Sequence, residues 1–277
     1  MEFGCDVAPL ISVIVAVLNG NTTLLKCIDS VARQTYAAKE LIIIDGGSKD
    51  GTVELLIDQN ERIDVWLSES DRGVYSAWNK GLRKARGEWI CFLGADDFLW
   101  DEHVLERMAV KLEAIPSDIR VVYGQIALLE VTPPSRRLIG EPWERVRELF
   151  RQNMCIPHVG TLHRRDLFDE RGVFDESFVI AGDYEYLLRE LRLADAAFIS
   201  DIVVAGQTLG GLSTNHLNLF QTKAEIRRAK RIHGLPLRWG HTLRERVNEF
   251  LQFIFWKIIG ARLTLRIFSI DTQDKSR

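Results

Sequence analysis

Apolar runs that stop abruptly at acidic turns recur through the first part of this chain. Leu41–Ile44 runs into Asp45-Gly46-Gly47-Ser48-Lys49-Asp50-Gly51, Asp64–Leu67 into Ser68-Glu69-Ser70-Asp71-Arg72-Gly73, and Trp89–Leu93 into Gly94-Ala95-Asp96-Asp97. An apolar run without alternation is what a strand buried on both faces requires. The acids then fall at strand carboxyl ends, where open α/β sheets bind ligands. Carboxylates gathered on one sheet edge repel one another unless a cation or hydrogen-bond donors lie among them. A divalent metal carrying a nucleotide diphosphate meets both demands.

Helical stripes alternate with these runs. Ile11–Val17 predicts a first strand, and Leu24, Ile28 and Val31 follow at helical spacing. Val53, Leu56 and Ile57 mark the next helix, with Asp50 as its cap, and Tyr75, Trp78 and Leu82 place another after Gly73. Val121–Tyr123 reads as a fifth strand. Repeated βα units with short loops predict an α/β fold with a mostly parallel sheet flanked by helices. After Tyr123 the rhythm changes. The polar stretch Glu130–Pro142 reads as a loop or edge hairpin, Trp143–Gln152 as a helix and Pro157–Leu162 as a strand. Tyr184–Leu193 reads as a helix with Asp183 as its N-cap, and Ala197–Val204 as a strand. Residues 215–233 form a helical pattern stopped by Gly234 and Pro236.

Composition narrows the class. A formal net charge of -3 over 277 residues gives no global basic field, so nucleic acid is not an expected partner. Cys5, Cys27, Cys91 and Cys155 are widely spaced, which argues against a disulfide or zinc scaffold and fits a reducing cytosol. Leu10–Leu18 is short and ends at Asn19-Gly20, a strand and not a signal peptide. No run reaches the roughly 18 apolar residues of a membrane span.

In sequence order, Ser12–Asn19, Glu40–Thr52, Ser68–Gly81, Trp89–Asp97, Gly172–Glu185 and Gly210–Ser213 resemble the family 2 glycosyltransferases of the GT-A fold, particularly bacterial polysaccharide-assembly enzymes. Each piece is a weak motif; the ordered set is specific. The resemblance implies inverting transfer of a sugar from a nucleotide-sugar donor to an acceptor hydroxyl, with Mn²⁺ or Mg²⁺. It makes residues 1–214 the catalytic domain, with a nucleotide-sugar half to about 125 and an acceptor half after it. Residues 215–277 form a basic, amphipathic helical region.

Site residues follow from the same resemblance. Asp45 would contact the nucleobase, with Val17 and Asn19 as the opposite wall; Asp45 also suits a turn, and Asn19 a helix cap. Asp71 and Asn79 would flank the nucleoside and sugar, with Arg72 beside the diphosphate; capping the helix is the other role for Asp71. Asp96 and Asp97 stand at the family's D-x-D motif, with Ala95 giving the x-D-D version. Asp97 would bind the metal and Asp96 the ribose or donor sugar, phosphate oxygens and water completing the shell. His216 is the candidate third metal ligand, a solvent-facing histidine the alternative. Asp183 would be the catalytic base, with Glu185 as runner-up. His158 and His163 either touch acceptor or pack.

Beyond residue 222, Lys223, Arg227, Arg228, Lys230, Arg231, Arg238, Arg244 and Arg246 precede an aromatic stretch with Phe250, Phe253, Phe255, Trp256 and Phe268. That order suits an anionic membrane surface and a lipid-linked acceptor, or else a helical hairpin packed on protein. Leu235-Pro236-Leu237-Arg238-Trp239 lacks the Gln of the processive synthases' Q-x-x-R-W, so one sugar per acceptor is expected. A nucleotidyltransferase would place a basic glycine-rich loop after the first strand, where Leu18-Asn19-Gly20-Asn21-Thr22 carries no Lys or Arg. A non-catalytic sugar-nucleotide binder is the remaining alternative. Donor, acceptor and oligomeric state stay open.

Overall fold

Alternation along the early strands sets the layers. The computed structural model describes residues 9–131, 134–208 and 218–236. In strand β1 (Ile11–Val17), Ile11, Val13, Val15 and Val17 enter one core while Ile14 enters another. Strands β2 (Lys39–Asp45) and β4 (Trp89–Gly94) divide the same way, Leu41, Ile43, Cys91 and Leu93 against Ile42, Ile44, Ile90 and Phe92. Successive side chains point to opposite faces, so a strand covered on both sides must be apolar throughout. Helices α1 (Leu24–Ala32) and α4 (Val104–Glu113) cover the first core. Helices α3 (Val74–Lys84), α5 (Trp143–Phe150) and α7 (Gly182–Leu191) cover the second. Each fully buried Ile or Phe contributes roughly 1.5–3 kcal/mol.

The remaining elements are α2 (Thr52–Asp58), β3 (Val65–Ser68), β5 (Phe98–Leu99), β6 (Val121–Val131), β7 (Pro134–Ile139), β8 (Leu162–Arg164), α6 (Asp166–Arg171), β9 (Ala197–Thr208) and α8 (Leu219–Ile232). They complete one sheet ordered β3-β2-β1-β4-β8-β6-β9-β5, with β7 on β6. Pairings from β3 through β4 are parallel, β8 runs antiparallel to both neighbours, and β6 and β9 are parallel with register shifts at Gln125.

Several expectations change in detail. The fifth strand continues through Val131 and returns as β7, so the polar stretch is the edge hairpin. Pro157–Leu162 is not a strand: Thr161 Oγ1 donates to Pro157 O at 2.5 Å in a turn, and β8 begins only at Leu162. Asp183 lies inside the first turn of α7, whose N-cap is Ala181.

Helix α8 packs on α7 and the second core. Ala229 joins the second core, and His233 Nε2 lies 2.9 Å from Glu185 Oε1 on α7. Arg228 stacks over the Phe178 ring at 4.2 Å and pairs with Asp175 at 3.3 Å. This part of the basic region therefore follows the protein-packing alternative. Arg238, Arg244, Arg246 and the aromatic stretch lie outside the described residues, as do Gly210–Ser213. Among the described residues, no helix is long and apolar enough to cross a membrane.

Candidate active site

Strand order brings the acidic turns together. β1 has β2 on one side and β4 on the other, so the direction of winding reverses there and leaves a crevice beyond the strand ends. In register, Val17 lies opposite Asp45, Asp45 opposite Ser68, and Ala16 opposite Gly94. The loops after all four strands open on one rim.

The first wall is cross-braced. Asn19, at a left-handed φ of 53°, donates its N–H to Ser48 Oγ at 2.7 Å and accepts Lys49 N–H on Oδ1 at 3.0 Å. Gly20 N–H reaches Thr52 Oγ1 at 2.9 Å, and Asn21 N–H reaches Asp50 Oδ2 at 3.1 Å. Asn19 does not cap α1, whose N-cap is Thr23. It ties the ends of β1 and β2 into one surface.

Asp45 is engaged by its own turn. Its side chain is buried, with Oδ2 accepting Gly47 N–H at 3.1 Å, Ser48 N–H at 3.0 Å and Ser68 Oγ at 2.6 Å, while Oδ1 accepts the Ser48 hydroxyl. A carboxylate used this fully shapes its own turn and the neighbouring strand end. Asp71 is the half-buried acid at this corner. A Cβ on Gly46 would lie 2.9 Å from Asp71 Oδ2, so the missing side chain at 46 leaves the space that Asp71 occupies. Asp71 Oδ1 accepts Gly73 N–H at 2.9 Å, and Arg72 is exposed beside it.

Asn79 is engaged as well. It is buried on α3 and bonds Phe174 in both directions, Nδ2 to O at 2.9 Å and Oδ1 from N–H at 3.0 Å, with Glu176 Oε1 at 3.1 Å. Its amide fastens α3 to the segment before α7 and does not face the rim.

The acid pair lies at the end of β4. A Cβ on Gly94 would meet Asp97 Oδ2 at 2.8 Å and Asp96 Oδ1 at 2.9 Å, so only glycine leaves both carboxylates their places. Asp97 Oδ2 accepts Gly94 N–H at 3.0 Å, the Thr208 backbone N–H lies near the carboxyl, and the buried Oδ1 has no hydrogen-bond partner among the described residues. Burial, with the charge of Asp96 adding to it, pushes the Asp97 carboxyl up to about 7. Buried polar atoms are rarely left unpaired, and an oxygen-only donor set with an orphaned oxygen fits a hard divalent cation. Thr208, ending β9, donates to Asp96 O at 3.4 Å and joins the second half of the sheet to this corner. His216 lies outside the described residues; among those described, no cluster of three or more metal-ligating side chains forms.

Asp183 is joined to the start of α3. Tyr75, two residues after Gly73, donates its hydroxyl to Ile180 O at 2.6 Å and stands 3.4 Å from Asp183 Oδ1. Tyr184 N–H donates to the same oxygen at 2.8 Å. Burial raises the Asp183 carboxyl to about 6 against these donors, with the charge of Glu225 adding to the rise. That value suits a general base near neutrality. Glu185, the runner-up, is buried, and its oxygens are engaged by Arg189 at 2.6 Å and His233 at 2.9 Å.

His158 and His163 pack. His158 lies between Trp78 and Phe92, ring centroids 5.0 and 5.6 Å away, and His163 is wholly buried 5.2 Å from His158. Burial drives His158 down to about 3 and His163 well below its ordinary value. Between pH 6.5 and 3 the unfolded chain binds protons that the folded histidines refuse, so each loses stability as pH falls. Asp97 and Asp183 titrate with opposite sign over much of this range, so the histidine effect is read by difference. Urea unfolding of His158→Phe and wild type between pH 6 and 4.5 should diverge in the variant's favour by about 1.4 kcal/mol per pH unit.

Comparison with known proteins agrees with this geometry. Residues 12–172 match the profile described as Glycosyl transferase family 2. A "PGL/p-HBAD biosynthesis glycosyltransferase" of Mycobacterium bovis is 35% identical over 215 residues, covering 74% of this chain and 80% of the relative. Staphylococcus aureus TarS 1-349, solved in complex with UDP-GlcNAc, superposes with a TM-score of 0.64 at 17% identity over 95% of this chain and 76% of that one. The mannosyltransferase PcManGT from Pyrobaculum calidifontis, solved with GDP-Man and Mn²⁺, gives 0.62 at 16% identity over 96% of this chain and 80% of that one. The chain belongs to glycosyl transferase family 2 and is a glycosyltransferase of GT-A fold.

Proposed function

We propose that this enzyme is an inverting, metal-dependent transferase that moves one sugar from a nucleotide-diphosphate sugar to an acceptor hydroxyl, in glycolipid or cell-surface polysaccharide synthesis. The reading is carried by the buried Asp97 Oδ1, without a hydrogen-bond partner among the described residues, and supported by the tie of Asp183 through Tyr75 to the start of α3. The nucleotide sugars bound by the two solved structures support the donor class. The name of the mycobacterial relative supports a saccharide or lipid-linked acceptor.

Asp97, with Asp96 beside it, would hold Mn²⁺ or Mg²⁺. The bound ion supplies Lewis-acid stabilisation of the leaving diphosphate. Val17, Asn19 and Asp71 form the nucleoside wall, and Asp71 replaces Asp45 as the acid that meets a ring N–H. Arg72 offers its guanidinium to phosphate oxygens, and Asp96 lies toward the ribose and donor sugar. Asp183 accepts the acceptor hydroxyl's proton as that oxygen bonds to the anomeric carbon. The bond from that carbon to the phosphate oxygen breaks, and its electron pair leaves with the nucleoside diphosphate. One displacement with one base inverts the centre without a covalent intermediate.

Incubation with UDP-, GDP- and dTDP-sugars and Mn²⁺ tests the reading. Release of free sugar, or its transfer, with nucleoside diphosphate is expected; pyrophosphate release or complete inertness would overturn it. A second check concerns the Gly46–Asp71 contact. Gly46→Ala should displace the Asp71 carboxylate and raise the donor KM about tenfold, close to 1.4 kcal/mol, with kcat less affected. Asp71→Ala should behave alike in steady-state kinetics.

A further inference from the structure

A second carboxylate stands behind the loop that carries Asp183. Glu225, on α8, accepts Val179 N–H at 3.1 and 3.2 Å on its two oxygens, and Ile180 N–H at 2.8 Å and Ala181 N–H at 2.9 Å on Oε2. Gln221 Nε2 donates to Oε1 at 3.1 Å, and Glu225 is 9% exposed. The first N–H groups of a helix have no partner within it, and a negative charge there also opposes the positive end of the helix dipole. Ala181, the N-cap, has no side-chain acceptor. Glu225, 44 positions away, instead takes the N–H groups of the N-cap and of the two residues that lead into it.

Tyr75 holds the other side of the same loop. Its hydroxyl accepts Gly182 N–H at 2.8 Å while donating to Ile180 O. A Cβ on Gly182 would stand 2.8 Å from the Tyr75 ring, so glycine permits this approach. Residues Val179–Gly182 are thus clamped between α3 and α8, and the next residue is Asp183.

We infer that Glu225 is a positioning residue of the transfer reaction, holding the Val179–Gly182 backbone so that Asp183 meets the acceptor hydroxyl. Catalysis then depends on how α8 is seated. The inference rests on Asp183 being the base. The titratable groups facing Asp183 are Tyr75 from α3 and Glu225 from α8. On its own helix, Glu185 is already paired with Arg189 and with His233 of the α8 cap.

The test compares Glu225→Ala and Glu225→Gln in the full chain, with Asp183→Asn alongside. Turnover per folded molecule, donor KM and the pH profile of kcat/KM for acceptor are measured, with Tm as the fold control. Glu225→Ala should lower kcat about ten- to a hundredfold, the scale of an ångström-level misplacement, with donor KM unchanged. Glu225→Gln keeps a side-chain oxygen for the loop and should recover most of the turnover. In both variants the acid limb should move to lower pH, because a negative charge facing Asp183 is gone. A fall in Tm with unchanged turnover and an unchanged acid limb would make Glu225 a purely structural residue and overturn the inference. If Asp183→Asn keeps its turnover, the base assignment fails instead, and this role for Glu225 falls with it.

Discussion

Asp97→Asn should abolish the metal-dependent part of any thermal shift given by a nucleoside diphosphate, and should cut kcat/KM about 10³-fold. Lewis-acid stabilisation of a leaving diphosphate is worth several kcal/mol, and each 1.36 kcal/mol is a factor of ten. Asn keeps the shape and can still accept Gly94 N–H, so the change removes charge with little repacking. Without metal the variant should be at least as stable as wild type, because Asp97 is buried beside the like charge of Asp96. Activity and metal-free stability therefore move in opposite directions, which a misfolded variant would not show. Differential scanning fluorimetry with UDP and GDP, with and without Mn²⁺, reads both. An unchanged metal-dependent shift would remove Asp97 from the metal site.

Asp183→Asn should lower kcat by about 10²–10⁴-fold, the range for a positioned general base, and leave donor affinity as it was. Loss in kcat and kcat/KM together marks an interaction made in the transition state. In the wild type, acceptor kcat/KM should fall as pH drops through about 6, where Asp183 becomes protonated; that limb should vanish in the variant. Because the folded-state value lies above the unfolded one, the ionised carboxylate costs stability once pH rises through about 6. The variant should accordingly melt higher than wild type at pH 8 and gain less at pH 5. Turnover within threefold of wild type would place the base elsewhere.

Much of the fold was legible because burial on two faces leaves a clear trace. Ile11–Val17 and Trp89–Leu93 could only be interior strands, and the structure extends the latter by one residue. β5 and β8, two and three residues long, are too short to carry a period, and α6 is barely longer than one turn and a half. β7 is exposed along nearly its whole length because it is the margin of the sheet, so its polar composition resembles a loop. At the site, the acidic turns come together at neighbouring strand ends as their order suggests, but how each acid is held there was not legible. Asp45 and Asp71 are equally plausible as text; only the space above Gly46 and the saturation of Asp45 separate them. Asn79 was misread because an amide facing Phe174 across the core has no local signature. Glu225 stands among Lys223, Arg227 and Arg228 and carries no local signature. Its partners are backbone N–H groups far away in sequence, which no composition reveals.

Asn19, Gly20 and Asn21 are fastened to Ser48, Lys49, Asp50 and Thr52 by hydrogen bonds within the chain itself. A surface braced by such bonds has little disorder left to lose when a ligand binds. It also has no means of telling a loaded carrier from an emptied one. Under the proposed reading, the released nucleoside diphosphate keeps every group that this surface meets, and would compete with fresh donor for it. The rate in the cell would then follow the ratio of donor to spent nucleotide, an inhibition built into the rigidity of the binding wall.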